Sequence, residues 1–405
     1  MIKLLVRGLA ACVALAIAAP PAHASPPPPS PTPSAPVPPP LVPPPLVPTP
    51  LVSANAAARL TVPVLPRPTG PHPVGATDLH LVDLSRADPW APERRRELMV
   101  TLRYPARSQS GVRTRYMTPA ESALLLAGQE AEGVPPDLLS RIRTHARAEA
   151  RPLRSGLPLV VLSPGFGLPR STLTTLSEEL ASRGYAVATV GHPYEAVATT
   201  LPDGTTVPCK ACEIEDSPGL VPAIRSADVS FLIGKLTGAH PAWGPRGLID
   251  ASKIGMAGHS IGGNSAAKAM VDDPRIDAGL VMDGSFIVPL PTTGLARPFM
   301  LFGTEEAFLP GGPDEETSWR DNWPRLTGWK RWATVAGSQH ESFTDYPVLS
   351  EQLGLPPGTL PAARAIPITR SYVRAFFDLH LRHIPTPLLN HPSPAYPEVR
   401  FWKNL

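Results

Sequence analysis

Gly258-His259-Ser260-Ile261-Gly262-Gly263 carries the pattern Gly-x-Ser-x-Gly. That pattern suits a nucleophile when a strand runs into it and a helix leaves at once, because the sharp turn lifts the serine hydroxyl clear of a sheet. Both flanks are present here: residues 253–257 read as a strand and 261–270, rich in small side chains, as a helix. Glycine is needed two positions before and after the serine, where a Cβ would meet neighbouring chain. The helix N-terminus behind Ser260 also favours developing negative charge. The chemistry implied is acyl transfer through a serine ester. A tight turn with a capping serine would use the same residues without any chemistry, so the companions of Ser260 decide between the two.

Such a serine needs an oxyanion hole and a general base. Gly165-Phe166-Gly167 follows a strand ending in Leu162-Ser163-Pro164, and a flexible turn there can aim the Phe166 N–H at the point faced by the Ile261 N–H. The base should follow in the order serine, acid, histidine. Of eleven histidines, His340 has that address, in Gly337-Ser338-Gln339-His340 after the last strong strand. His259 is locked beside the nucleophile and points elsewhere, and His192 follows an earlier strand and is expected to line the pocket. His380, His383 and His391 lie in or beyond a closing helix and are expected to be solvated. Two addresses suit the acid: Asp283, ending the strand 278–282, and Glu305 or Glu306, following the strand 298–302. Either can present a carboxylate to the far nitrogen of His340, and spacing does not separate them.

The elements that must position these residues alternate as in a doubly wound sheet. Strands are expected at 79–84, 97–104, 157–163, 185–190, 253–257, 278–282, 298–302 and 331–335, with helices at 171–183, 223–236, 261–270 and 369–381. The fold class is therefore α/β, with a mostly parallel central sheet flanked by helices. Residues 107–155 form an insertion with helices expected at 120–129 and 136–150, a candidate cap over a pocket. The catalytic domain is expected to run from 73 to 405.

Ahead of it, Lys3 and Arg7, the apolar stretch 9–19 and Ala22-His23-Ala24 read as an export signal spanning residues 1–24. The stretch is too short to span a bilayer. Leu9-Ala10-Ala11-Cys12 resembles a lipoprotein box, but Cys12 lies inside the apolar stretch rather than at its end. Residues 26–50 hold fifteen prolines, which lack N–H donors and fix φ, so 25–72 reads as an extended, disordered linker. Cys209 and Cys212 offer too few ligands for a closed zinc site, and in an oxidising compartment they are expected to form a local disulfide. With 37 basic and 34 acidic residues and no long basic run, no nucleic-acid surface is indicated. The sequence does not specify an oligomeric state.

The segments 159–168, 258–263, 282–285 and 337–345 resemble the secreted, serine-dependent platelet-activating factor acetylhydrolases and their bacterial relatives, which have the α/β-hydrolase fold. The resemblance maps the nucleophile to Ser260, the acid to Asp283, the base to His340 and the oxyanion donors to Phe166 and Ile261. It implies a lipid ester substrate, with a short acyl group and transient contact with a lipid surface. No metal or organic cofactor is implied. The same segments are similar to secreted bacterial lipases and polyester hydrolases, whose acid usually stands on the later strand, where Glu305 and Glu306 lie. They also tend to lack an insertion such as 107–155, so the acetylhydrolase-like reading is preferred. A non-catalytic cell-wall protein on the same fold would have no need of Ser260, His340, a carboxylate and both glycine turns together.

The leader reading predicts a mature chain that starts at Ser25 with no lipid on Cys12. Intact mass of the exported protein checks it, and a diacylated chain starting at Cys12 would overturn it.

Overall fold

The computed structural model describes residues 61–402 except 130, 132 and 357. The expected leader, the lipoprotein-like box and most of the proline-rich segment lie outside these residues.

Two long strands come first, β1 (Val74–Ala87) and β2 (Arg95–Pro105). The insertion follows with β3 (Arg113–Arg115), α1 (Pro119–Gly128), α2 (Leu138–Arg141) and β4 (Arg143–Ala148). Then come β5 (Leu157–Ser163), α3 (Thr174–Ser182), β6 (Ala186–Gly191), a small hairpin of β7 (Thr199–Thr200) and β8 (Thr206–Val207), and α4 (Ser217–Thr237). The elements around the glycine-serine motif are β9 (Ile249–His259), α5 (Ile261–Asp272), β10 (Ala278–Met282) and β11 (Phe299–Thr304). The chain closes with α6 (Glu305–Phe308), α7 (Ser318–Asn322), β12 (Lys330–Val335), α8 (Tyr346–Leu353), α9 (Ala362–Arg382) and β13 (Val399–Trp402).

Among the described residues the main sheet has the order β13-β12-β11-β10-β9-β5-β6-β2-β1-β4-β3. Its centre, β6-β5-β9-β10-β11-β12, is parallel throughout. Central strands buried on both faces need continuous apolar runs, and β5, Leu-Pro-Leu-Val-Val-Leu-Ser, is buried at every position. Alternate side chains serve opposite layers: Val160 and Leu162 pack with α3 and α9, while Leu159 and Val161 pack with α4 and α5. After β5 the chain crosses to β6 on one side, and after α4 it returns to β9 on the other. The direction of winding therefore reverses between β5 and β9, and open α/β sheets bind ligands at such a point. Register pairs Ser163 with Gly258, so the turns leaving these two strands lie side by side.

Three expectations are corrected. Residues 136–150 were expected to be one helix, but only Leu138–Arg141 is helical. Arg143–Ala148 is a strand with Thr144 and Ala146 inside. Its period-two burial and the open edge of β1, which pairs Gly75 with Arg147, override a local helical preference. Residues 61–72 are not free linker: Leu65 is buried, Arg370 donates to the carbonyls of Pro66 and Arg67, and Thr69 binds Glu179 through both N–H and hydroxyl. An extended proline segment has few donors to satisfy and a row of free carbonyls, which suits an arginine clamp. The insertion, expected as a cap, extends the sheet edge and packs its apolar residues on Leu65, Val348, Leu349 and Ile366.

Close approach at Gly263 ties α5 to the sheet: a Cβ there would lie 2.1 Å from Val281 Cγ2. Gly263→Ala should therefore destabilise the protein by about 1–3 kcal/mol through overpacking. Urea unfolding checks this, and a parent-like midpoint would mean that the contact is looser than described.

Candidate active site

The turn from β9 into α5 holds Ser260 at φ 55°, ψ −130°, a left-handed conformation that costs a side chain of order 1–3 kcal/mol. The surrounding glycines explain how it is held. A Cβ on Gly258 would lie 2.1 Å from Gly262, one on Gly262 2.2 Å from the Ser163 carbonyl, and one on Gly284 2.0 Å from the Ser260 carbonyl. The first two follow from the motif; Gly284 does not, because it lies outside the motif and reaches the elbow from the end of β10. The Ser260 N–H donates to the Met282 carbonyl at 2.8 Å and the Ser260 carbonyl accepts from the Gly263 N–H at 2.8 Å. Ser260 itself is partly exposed.

Asp283 follows β10 at φ 52°. Its N–H donates to the Phe302 carbonyl, and its Oδ1 accepts the Thr304 N–H at 2.6 Å. The remaining oxygen, Oδ2, lies 2.6 Å from His340 Nδ1. Asp283 is buried, whereas the His340 side chain is 46 % exposed. Burial alone would disfavour the charged imidazolium, but the hydrogen bond and charge of Asp283 outweigh it and hold His340 above its ordinary value. His340 opens a short 3-10 turn after β12. Its carbonyl accepts from His259 Nε2 at 2.8 Å, and the two rings lie 4.5 Å apart. Burial, reinforced by His340, pushes His259 well below the usual histidine range. His259 is thus neutral and braces the loop of His340.

Glu305 and Glu306 stand elsewhere. Both lie in the first turn of α6; Glu305 is paired with Arg400 and Glu306 is exposed. The strand before them, β11, contributes the Thr304 N–H to Asp283 instead. Phe166 lies in the turn after β5, anchored by Gly167, whose N–H donates to the Glu195 carbonyl and whose carbonyl accepts from the Val197 N–H. Ile261 is the first residue of α5. Neither the Phe166 nor the Ile261 N–H has a hydrogen-bond acceptor among the described residues. Both side chains join an apolar cluster with Trp90, Met99, Tyr194 and Leu201, a wall beside the elbow.

Elsewhere a different serine, histidine and carboxylate line up through hydrogen bonds. Ser163 Oγ lies 3.2 Å from His192 Nε2, and His192 Nδ1 lies 2.8 Å from Asp228 Oδ2. His192 is therefore buried and committed to these partners instead of lining a pocket. All three are at most 2 % exposed, and Arg225 donates to the same hydroxyl. A serine with no exposure and a committed hydroxyl has no room for an acyl group. His192, Glu195 and Asp228 also have metal-ligating atoms within 4.8 Å of one another. Those carboxylates already hold Arg96 and Arg225, and a cation there would face two guanidinium groups. Sequence reading missed this cluster, since its members are scattered among four elements and share no motif. His380 is likewise not simply solvated: it is half-buried, edge-on to Trp329 and tilted against Phe376, and burial pushes its pKa down to about 4. Cys209 and Cys212 are joined in a disulfide.

Comparison with known proteins gives a consistent picture. A family profile described as platelet-activating factor acetylhydrolase, isoform II, matches residues 61–206. A probable 1-alkyl-2-acetylglycerophosphocholine esterase of Arthroderma benhamiae is 28% identical over 361 residues, covering 80% of this chain and 89% of the relative. A platelet-activating factor acetylhydrolase of Canis lupus familiaris is 24% identical over 48% of this chain and 50% of its own length. The solved structure of a ferulic acid esterase from Streptomyces cinnamoneus is 44% identical with a TM-score of 0.77, covering 85% of this chain and all of that one.

The geometry of His340 predicts its titration. Because Asp283 stabilises the imidazolium, the midpoint in an NMR titration should lie above the usual 6.5 or so. Asp283→Asn removes the two larger causes that raise it, leaving the weaker pull of Glu341 against the burial that lowers it, so the midpoint should fall relative to the parent. A midpoint unmoved by the substitution would show that this carboxylate does not set it.

Proposed function

We propose that this carboxylic ester hydrolase of the α/β-hydrolase fold, similar over residues 61–206 to the platelet-activating factor acetylhydrolase isoform II family, carries its chemistry on Ser260, His340 and Asp283. The observation that supports this best is the 2.6 Å contact of Asp283 with His340, beside a serine held in an elbow at the switch point of the sheet. Ser260 attacks the ester carbonyl while His340 takes its proton. Asp283 keeps the tautomer with the free nitrogen toward the serine and offsets the charge that His340 gains. The N–H groups of Phe166 and Ile261 receive the oxyanion. His340 then returns its proton to the leaving alcohol, and water admitted at its exposed face releases the acyl group by the same steps.

The substrate we propose is a lipid ester with a short acyl group, met at a lipid surface. The name of the Arthroderma relative, spanning most of both chains, supports it. The Streptomyces structure favours a second reading, an aromatic acyl group such as feruloyl, on its higher identity. Turnover of 1-alkyl-2-acetylglycerophosphocholine against methyl ferulate separates the two, and the greater kcat/KM names the acyl class. Export belongs to the same proposal: the Cys209–Cys212 disulfide suits an oxidising compartment. No described helix is long and apolar enough to cross a membrane.

Ser260→Ala should abolish hydrolysis of a short p-nitrophenyl ester and covalent labelling by an organophosphate. Asp283→Asn should lower kcat by about 10⁴. Glu305→Gln should stay near the parent, because the exposed pair with Arg400 contributes little, and so should Glu306→Gln. Near-normal turnover in Asp283→Asn with loss in either glutamate variant would move the acid to the later strand.

A further inference from the structure

Phe166 sits between two glycines, and Gly167 takes φ +77°. Such a turn is soft, since glycine visits left-handed and ordinary conformations with similar ease. Yet an oxyanion donor must hold its aim closely to be useful. Something outside the turn has to supply the stiffness.

The structure supplies it from below. Arg225, on α4, donates from Nη1 to both the Pro164 carbonyl and the Ser163 hydroxyl. Its Nε donates to Glu195 Oε2 at 2.7 Å. Glu195 in turn accepts the Gly167 N–H with its backbone carbonyl at 2.9 Å. The two residues flanking the Gly165–Phe166 peptide are thus tethered to one arginine–glutamate pair. The pair belongs to a closed ring. Glu195 Oε1 accepts from Arg96 and from Trp90 Nε1; Arg96 holds Asp228 through two nitrogens; Asp228 accepts from His192; and His192 accepts the Ser163 hydroxyl proton. Ser163, His192, Asp228, Arg96, Glu195 and Arg225 are each at most 2 % exposed. Buried ion pairs bring little stability over a well-packed apolar cluster. Their directional hydrogen bonds do fix orientation.

We propose that Arg225 is a positioning residue of the oxyanion hole, clamping the Pro164 carbonyl and Ser163 hydroxyl so that the Phe166 N–H stays aimed beside the Ile261 N–H. The clamp rests on the reading of Phe166 and Ile261 as oxyanion donors. It makes Ser163, His192 and Asp228 part of the support of the turn rather than a second reaction centre.

The test compares a trifluoromethyl ketone, which adds to Ser260 and leaves an anionic oxygen, with a ground-state competitor that adds nothing. Arg225→Met combined with Glu195→Gln removes the buried pair together and leaves no lone charge. Its kcat should fall by about 10²–10³ with KM within roughly threefold. Its affinity for the ketone should fall in parallel, while that for the competitor stays. Arg225→Lys keeps the charge but loses the planar fork, and should lie between this variant and the parent. It provides the answer if the double variant does not fold by near-UV circular dichroism. Parent-like ketone affinity in the folded double variant or in Arg225→Lys would overturn the clamp, even with a lowered urea midpoint, since the ring would then be structural alone. Phe166→Pro, which removes the N–H, tests the underlying reading. If it loses the ketone while the Arg225 variants keep it, only the clamp fails. If it keeps the ketone, Phe166 is no donor and the reading itself fails.

Discussion

Ser260 at a positive φ is the constraint on which the surrounding structure depends. A serine in that conformation relaxes unless its neighbours leave no alternative. They leave none: Gly258 and Gly262 touch each other and the end of β5, Gly284 touches the Ser260 carbonyl, and the Ser260 N–H is held by Met282. Three parallel strands, β5, β9 and β10, therefore have to lie in one register for the elbow to exist. The buried apolar runs of those strands secure that register. The hydrophobic layers thus serve the site directly.

The same contacts bring the charged residues together. Once β10 lies beside β9, the residue after it, Asp283, emerges next to the elbow. Once β11 lies beside β10, the Thr304 N–H meets the Asp283 carboxylate. One carboxylate oxygen is then committed to the backbone and the other is left for His340. This division makes Asp283 a rigid acceptor, and it leaves Glu305 and Glu306 on a helix that turns away toward Arg400.

Two serine–histidine–carboxylate arrangements lie close together, and exposure separates them. The one through Ser163 has better-buried members and a complete set of partners, so it has no free donor or acceptor to offer a substrate. The one at Ser260 has an open histidine, a strained serine and two backbone N–H groups without acceptors. Unfinished hydrogen bonding at a switch point marks a place for a ligand; finished hydrogen bonding beneath it marks support.

What the sequence determined by itself was whatever depends on near neighbours. The Gly-x-Ser-x-Gly turn, the strand before it and helix after it, the glycine turn around Phe166, and His340 after the last parallel strand were all legible, because backbone sterics and period-two burial act over a few residues. Only the tertiary structure decided which carboxylate meets His340: Asp283 and Glu305 have equivalent addresses at the ends of adjacent strands, and the difference is a positive φ and a backbone donor from across the sheet. It also decided that 143–148 is a strand, since the free edge of β1 lies about seventy residues earlier in the chain. It packed 61–72 against Arg370, and it closed the ring of Arg96, His192, Glu195, Arg225 and Asp228. Those residues come from separate elements, and charges so far apart in sequence carry no local pattern from which their pairing could be read.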